Sequence, residues 1–351
     1  MKRRLARTIL IGTGVALVAA GLVILLGVAP RFRVVRDSTT ISQRFEGTLR
    51  TSIDIETLES ISSPRLSIQH FVRVVDTHGG IALIRDETVS RIPQGRLRRT
   101  VVHYAIDRST AECTDDYPER WAATTGFWPR LGLVGMWPYD VDRADYALWV
   151  DAYRRTVPLR FAGEVVHAGT GLTAYRFTAS GEQQPMSPEE IAFLKLPTEV
   201  PSERIRALQE NPDVNLVLRR LLPGVLEAWT EPTVPVSYSW EFHSTYWVEP
   251  RTGVVLDMRS RDYLRVGVAE EVVRATPLLN LPAVQRAALE IVVEESQYAS
   301  TDASIADAVA LVDERLAALQ LYATTLPIVL VVLGLAVGTT GALLRTGGRR
   351  S

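Results

Sequence analysis

The sequence predicts an α+β fold: a membrane-anchored, antiparallel β-barrel-like domain with a helical cap, flanked by N- and C-terminal transmembrane helices. Two uncharged apolar stretches, Thr8 to Pro30 and Leu321 to Leu344, each exceed the roughly 20 residues that span a bilayer as a helix. Between them, polar and apolar residues alternate with the period of two that is typical of β-strands. One helical pattern, over residues 187–226, interrupts this alternation.

The two apolar stretches divide the chain into five parts. These are a tip (1–7), a first span (8–30), a β-rich domain (31–320), a second span (321–344) and a second tip (345–351). The tips carry basic residues and no acids, namely Lys2, Arg3, Arg4, Arg7, Arg345, Arg349 and Arg350. Such flanks are typical of the cytoplasmic side. We therefore expect a two-pass protein of the cytoplasmic (inner) membrane with both tips cytoplasmic and the large domain outside.

Two features compete with this topology at the first span. Arg31, Arg33 and Arg36 follow the span and weaken its charge bias. A cleaved signal peptide is the alternative to an anchor, but the apolar stretch is longer than a typical signal core, and Pro30 follows the best small-residue site. We therefore favour an uncleaved anchor.

The charge balance excludes nucleic acid as a partner. The chain carries 39 Lys and Arg against 40 Asp and Glu, and seven of the basic residues lie in the tips, so the outer domain is acidic. Nucleic acid, or a broadly anionic lipid surface as the main partner, would need an extended basic field.

Tight turns join the predicted strands of the outer domain. We predict hairpins over residues 66–84, with the turn at Gly79-Gly80, over residues 161–177, and over residues 236–256. Arg99–Asp107 is a further strand with the same alternation. Consecutive hairpins of this kind indicate an antiparallel meander sheet or barrel.

Helical signals occupy two places in the outer domain. Ser187, Pro188 and Glu190 fit the N-cap, first and third positions of a helix, and Ser202 begins a second helix. A third helix over 214–222 is expected to stop at Pro223. From residue 282 to residue 320 we predict a stalk helix that leads directly into the second span.

Small residues recur four apart in both spans, a spacing that lets helices approach closely. The helix-packing candidates are Gly12, Ala16, Ala20, Gly334 and Gly338. One interpretation is that the spans pair with each other or with another subunit. The other is that these residues reflect only the abundance of Gly and Ala in membrane helices.

Enzyme motifs are absent from the sequence: no GxSxG, HExxH, CxxC or P-loop occurs, so we predict neither catalysis nor a cofactor. Asp140, Asp142 and Asp145 form a weak calcium candidate, but a solvated acidic turn is favoured because an EF-hand's central Gly and closing Glu are missing. Cys113, the only cysteine, excludes an intrachain disulfide; a packed small hydrophobe is favoured over a reactive thiol. The spans contain no charged residue, so two of them alone do not line an aqueous pore.

The densest aromatic segment, Thr124 to Asp151, supplies the candidate ligand-binding residues. Aromatic side chains suit ligand walls, although ordinary core packing explains about half of them equally well. The candidate wall residues are Trp128, Trp137, Tyr139, Tyr146 and Trp149, and the candidate cap contacts are Ile191, Leu194 and Leu216.

Several motifs of this chain resemble a known family. They are Val35–Thr40 (VRDSTT), Tyr104–Cys113, Trp137-Pro138-Tyr139 through Tyr146, Trp149 and Asp151, Gly171–Phe177, and Trp247–Gly253. In order and spacing they resemble the actinobacterial porin PorA-like family over nearly the whole chain. The departures are Val150, which separates Trp149 from Asp151, and residues 188–223, which do not align. Two terminal spans around a β-rich domain with a helix cluster also resemble, more weakly and in layout alone, class B scavenger receptors.

We therefore expect a non-enzymatic cell-envelope membrane protein whose outer domain binds or passes a hydrophobic molecule, a lipid, through an internal cavity. The expected partners are membrane lipids and a second copy of the chain through the spans. The family resemblance implies the alternative of an oligomeric pore, and a structural scaffold without a cavity is the third hypothesis.

Overall fold

The structure is a computed structural model, and it describes residues 2–52, 63–91, 97–207, 216–280, 282 and 290–344. Its strands are β1 (Thr40–Ser52), β2 (Ser63–His78), β3 (Ile81–Arg91), β4 (Leu97–Asp107), β5 (Tyr146–Val150), β6 (Arg155–Val166), β7 (Thr173–Pro185), β8 (Glu199–Pro201), β9 (Thr233–Val248), β10 (Val255–Val268) and β11 (Ile291–Ser300). Its α-helices are α1 (Lys2–Val23), α2 (Glu119–Ala122), α3 (Pro188–Phe193), α4 (Ser202–Ala207), α5 (Leu216–Ala228), α6 (Glu270–Ala275), α7 (Asp302–Gln320) and α8 (Leu326–Leu343).

The strands form one antiparallel sheet that curls into a half-barrel between the two terminal helices. The strand order is β4-β3-β2-β1-β11-β10-β9-β7-β6-β5, and β8 pairs with β9 outside this path. The first and last strands along the chain are therefore neighbours in the middle of the sheet, and β4 and β5 are its edges. The predicted α+β class with a barrel-like sheet is confirmed.

The alternation of polar and apolar residues predicted the positions of the hairpins correctly. The pairs β2–β3, β6–β7 and β9–β10 are antiparallel neighbours joined by the three predicted turns. Strand β4 contains the predicted segment Arg99–Asp107 and pairs with β3 along its whole length.

The cap lies at the end of the half-barrel where β7 leaves the sheet and β9 enters it. Helices α3 and α4 begin at the predicted residues, and Ser187 Oγ accepts a hydrogen bond from Glu190 N at 3.1 Å. The prediction that Pro223 ends the third helix is wrong, because α5 continues through it to Ala228. A proline removes one backbone donor, a loss that the buried packing of Val225 and Leu226 offsets.

The predicted stalk helix over residues 282–320 is wrong in its first part. Residues 291–300 are strand β11, paired on both sides with β1 and β10. The β-branched start Ile291-Val292-Val293 suits a strand, and pairing on both sides satisfies its backbone groups. The helix begins at Asp302, capped by Thr301, whose side chain accepts from Ser304 N, and leads into the second span as predicted. Residues 283–289 lie outside the described part.

Two helices are long and apolar enough to cross a membrane, over Arg4–Phe32 and within Asp302–Leu343. Helices α1 and α8 pack against each other in antiparallel orientation through glycines. A Cβ atom added at Gly14 would lie 2.6 Å from Gly334 O and 2.7 Å from Gly338 N. The backbones are therefore in contact at this crossing, as in other small-residue membrane interfaces.

The face of α1 that pairs differs from the predicted one. Gly14 and Gly21, seven residues apart, are buried against α8. The predicted stripe of Gly12, Ala16 and Ala20 is exposed, and a Cβ at Gly12 would have no neighbour within 4 Å. Gly12, Ala16 and Ala20 therefore do not pair with α8, whereas Gly334 and Gly338 do contact α1, and pairing of the exposed stripe with another subunit stays a prediction.

The segment between β4 and β5 connects the two edges of the sheet. Ile106 of β4 bridges to Cys113, Cys113 bridges to Gly132, and Leu133 bridges to Leu148 of β5. Gly132 has φ +65°, and a Cβ there would lie 2.3 Å from Ala147 O. Only glycine fits this position.

We predict that Gly132→Ala destabilises the outer domain more than Gly171→Ala. Both glycines have a positive φ (+65° and +70°), so both substitutions cost about 1–2 kcal/mol of backbone strain. Only Gly132 adds a clash with β5, worth a further ~1–3 kcal/mol, because a Cβ at Gly171 has no neighbour within 4 Å. Thermal unfolding of the two variants measures the difference, and equal melting temperatures would contradict this account of edge closure.

We also predict that Gly14→Val separates the two spans, whereas Gly12→Val does not. The valine at residue 14 overlaps the backbone of α8, an overpacking cost of about 1–3 kcal/mol, whereas residue 12 faces outward. The measurement is the thermal stability of the full chain in detergent micelles. A larger loss from Gly12→Val would show that this face is covered by a second subunit.

Candidate functional site

Three cavities follow one another along the inner face of the half-barrel. The membrane-side cavity, about 220 Å³, lies between β1, the β9–β10 turn and α7. The middle cavity, about 200 Å³, lies deeper between β1, β2 and β10. The cap-side cavity, about 340 Å³, lies beneath α3.

The three cavities share walls. Gln43, Gly135, Trp137 and Val255 line both the membrane-side and the middle cavity. His70, Thr88 and Val134 line both the middle and the cap-side cavity. The arrangement is a segmented path from the junction with the spans to the cap.

Some of the candidate ligand-binding residues line the cavities, and one packs behind a lining residue. Trp137 lines the membrane-side and middle cavities, Tyr139 the membrane-side cavity and Leu194 the cap-side cavity. Tyr146 supports Trp137 from behind, with ring centroids 5.6 Å apart. The structure thus brings three of the candidates to the path.

The remaining candidates are not among the lining residues of these three cavities. Trp128 stacks with Phe193 at 4.5 Å between centroids, and Trp149 Nε1 donates to Asp151 Oδ1 at 2.7 Å. Ile191 packs against the main core. The backbone of Leu216 begins α5, but its side chain lies outside the described part.

The calcium candidates do not converge on one point. Asp145 Oδ1 accepts from Phe161 N at 2.8 Å, Asp140 lies 3.5 Å from Arg33 Nη1, and Asp142 N donates to the hydroxyl of Tyr146. Within the described ranges, no group of three or more His, Cys, Asp or Glu side chains could hold a metal ion. A structured acidic turn describes these residues better than a calcium site does.

A buried ionic network, which the sequence did not reveal, lines the cap-side cavity. Arg130, with 2% of its side chain exposed, lies 2.6 Å from Asp151 and 3.8 Å from Asp86, and its guanidinium stacks 4.6 Å over the ring of Tyr104. His70 Nε2 lies 2.8 Å from Asp86 Oδ1. Two carboxylates therefore compensate the buried guanidinium, although its Nε and Nη1 have no hydrogen-bond partner.

The network shifts the pKa values of His70 and Asp86. Burial opposes the charged form of His70, but the charge and the hydrogen bond of Asp86 outweigh it and raise the pKa of His70. Burial likewise opposes ionisation of Asp86, but His70, Arg130 and Tyr104 together lower its pKa. The pair is therefore stabilised in its ionised form.

Glu190 brings a further carboxyl from the cap helix α3 into the same cavity. It is 6% exposed, and its Oε2 has no hydrogen-bond partner. Burial, and then the charge of Asp151, raise the pKa of Glu190 to about 7. Its burial beneath α3 therefore favours the protonated form of the Glu190 carboxyl.

More polar side chains face the interior from β9, β10 and β11. Ser260 Oγ donates to Asp262 Oδ1 at 2.8 Å and also lies 2.8 Å from Ser244 Oγ. Burial raises the pKa of Asp262 to about 6 and also raises the pKa of Glu294. In contrast, burial raises the pKa of the Cys113 thiol to about 12, which suits a packing role rather than reactivity.

Comparisons with known proteins point to one family. A family model described as Porin PorA matches residues 6–343. The curated proteins give no match. Among solved structures, a MaoC-like dehydratase aligns at 14% sequence identity with a TM-score of 0.12, covering 75% of this chain and 76% of that one. A TM-score this low carries no argument about fold or function.

We predict that Glu190→Gln removes a part of the pH dependence of stability. The folded pKa of about 7 exceeds the ordinary 4.5, so the contribution of Glu190 is complete below about pH 4.5 and is lost as pH rises through 7. The full shift corresponds to roughly 3 kcal/mol at most. Thermal unfolding at pH 5 and pH 8 checks this.

The exposed neighbour supplies the control for this measurement. Glu189→Gln, on the same helix, should follow the wild-type pH dependence. Parallel pH profiles for wild type and Glu190→Gln would contradict the burial of a protonated carboxyl.

Proposed function

We propose that this chain, which belongs to the porin PorA family, holds a hydrophobic envelope molecule in the path through its half-barrel and passes it between the bilayer and the cap. The family is a non-enzymatic group, and membership implies a pore-forming or envelope membrane protein. Binding of a lipid in the cavities is the further step proposed here.

The shared walls of the three cavities carry the proposal. Trp137 and Gly135 separate the first two spaces by little more than side-chain atoms, so small rotations connect them. Together the cavities fall in the size range of about 300–1,000 Å³ that is usual for small-ligand sites. An internal path of this size favours ligand carriage over a purely structural scaffold.

The lining changes in character along the path. The middle cavity is walled mainly by aromatic and aliphatic side chains such as Tyr246, whereas the membrane-side cavity also has Arg315 in its wall. The cap-side cavity is lined by Arg130, Asp151 and Glu190. Polar ends around an apolar middle suit an amphiphile whose apolar part lies in the middle of the path and whose polar part lies at one end.

The proposed topology places both tips in the cytoplasm and the half-barrel outside. The charge bias of the tips supports it, as does the antiparallel pairing of α1 with α8, which puts both ends of the chain on one side. The path then begins at the outer surface of the membrane.

An oligomeric pore is the second candidate. The family description favours it, and the exposed stripe of Gly12, Ala16 and Ala20 offers a second close-packing face once Gly14 has been used by α8. The described spans have no charged residue between Thr8 and Pro30 or between Leu321 and Leu344, so a water-filled pore requires several copies.

Gly135→Leu tests the carrier function. Gly135 lines two cavities, and a Cβ there would meet Val72 and His70 at 3.3–3.4 Å, so a leucine fills the passage. We expect the fraction of full-length protein that retains a lipid in native mass spectrometry to fall about tenfold, equivalent to ~1.4 kcal/mol. Gly80→Leu, in an open turn, is the control.

Two results would reject the carrier function: wild-type protein free of lipid, or equal retention in both variants. Single-channel conductance in planar bilayers that Gly12→Val abolishes would then establish the oligomeric pore instead.

A further inference from the structure

The membrane-side cavity is lined by a half-buried cation, Arg315, that forms no ion pair in the described part of the chain. Arg315 lies on α7, six residues before Leu321, where the helix enters the second span, which places it about 9 Å above that point. Its Nη1 donates to Thr252 O at 2.9 Å, and its guanidinium lies 5.3 Å from the ring centroid of Tyr139. The side chain therefore points into the cavity wall rather than into solvent.

Arg315 forms no ion pair with a carboxylate in the described part of the chain. Burial lowers its pKa, and the nearby Arg36 acts in the same direction, which outweighs Tyr139 and the exposed Glu314. Asp307, in the wall of the same cavity, is bound to Arg44. The protein thus leaves the charge of Arg315 uncompensated.

Arg36 adds a second guanidinium at the same end, because it directly follows Val35, which lines the membrane-side cavity together with Arg315. It lies 4.6 Å over the ring of Phe32, which stacks on Tyr322 with centroids 4.3 Å apart, and it has no ion pair among the described residues. Neighbouring arginines do have carboxylate partners. Arg33 lies 3.5 Å from Asp140, and Arg108 lies 2.6 Å from Asp37.

The contrast with the cap-side cavity is informative. The buried Arg130 has two carboxylates at 2.6 and 3.8 Å, as expected where a charge must be stabilised within the protein. Two guanidiniums near each other without carboxylates repel, and an anion between them relieves that repulsion.

We propose that Arg315 and Arg36 bind the phosphate of an anionic phospholipid whose acyl chains enter the membrane-side cavity. Guanidinium groups bind phosphate oxygens through paired, charge-assisted hydrogen bonds. The stacked pair Phe32–Tyr322 marks the region where aromatic side chains meet lipid headgroups. The acidic outer domain excludes an extended basic surface, whereas this site needs only two local charges.

The site deepens the carrier function and rests on it, since the same cavity receives the acyl chains. It adds a headgroup class: the occupant of the membrane-side cavity carries a phosphate and a net negative charge, and zwitterionic phospholipids, whose ammonium group would lie beside the two guanidiniums, occupy that cavity less well.

The test uses the full chain in nanodiscs of phosphatidylcholine containing a minor fraction of phosphatidylglycerol. Native mass spectrometry measures the ratio of the two lipids retained by the protein. We expect wild type to enrich phosphatidylglycerol, and Arg315→Gln to lower that enrichment about tenfold, with Arg36→Gln lowering it less.

Arg155→Gln is the matched control. Arg155 also lies over a tyrosine ring, Tyr153, at 5.7 Å and also donates to a neutral oxygen, that of Gln184, at 3.0 Å, but it is outside the cavity. Its substitution should leave the lipid ratio unchanged.

Each outcome has one meaning. Equal enrichment in wild type and Arg315→Gln overturns the headgroup site, and if phosphatidylcholine is still retained the carrier function survives. No lipid of either kind in wild type overturns the carrier function itself. Binding of inorganic phosphate by lipid-free protein, without phosphatidylglycerol enrichment, would show a free-phosphate site and overturn the lipid assignment.

Discussion

The half-barrel depends on the backbone hydrogen bonds that join its two edges through the segment between β4 and β5. Trp128 N donates to His103 O at 2.7 Å on the β4 edge, and Leu133 N donates to Ala147 O at 2.7 Å on the β5 edge. An open sheet would leave a row of unpaired groups on each edge. Because the segment supplies partners to both edges, it fixes the curvature, and the curvature encloses the three cavities.

The same segment explains why its aromatic residues have different roles. Trp137 emerges from the closing segment into the interior, where it packs against Phe177 and Tyr246 and becomes a cavity wall. Trp128, beside edge strand β4, packs against Phe193 instead, and Trp149, in edge strand β5, donates to Asp151. A ring in this segment lines the path only where the backbone has turned away from an edge strand.

Local sequence patterns predicted the spans and hairpins, because neighbouring residues along the chain determine these elements. The spans follow from uncharged length, and the hairpins follow from alternation with turn residues, so both could be located from sequence. Strand β11 could not, because only three β-branched residues precede Glu294 and Glu295, and its stability comes from β1 and β10 on either side. The pairing of Gly14 with Gly334 was likewise invisible, because it depends on which face of α1 meets α8.

The interior charges were missed for a related reason. Alternation assigns every second residue of a strand to one face, but it does not determine whether that face meets solvent or an internal space. In this curled sheet the polar face is an internal surface, so Asp86, Asp262 and Glu294 become buried side chains with shifted pKa values. Which face lies inside is set by the direction of curling, which arises from long-range closure.

The placement of the path relative to the spans limits the transport that we propose for it. Both ends of the path, the cap beneath α3 and the junction near Arg315, lie on the same side of the two spans. A molecule that moves along it therefore travels between the membrane surface and the space beyond, not through the bilayer. Passage across the bilayer would need a second route between copies of the chain, for which α1 retains its exposed face at Gly12, Ala16 and Ala20. The proposed carrier and the proposed pore thus use different surfaces of the same molecule, so a substitution that tests one should leave the other intact.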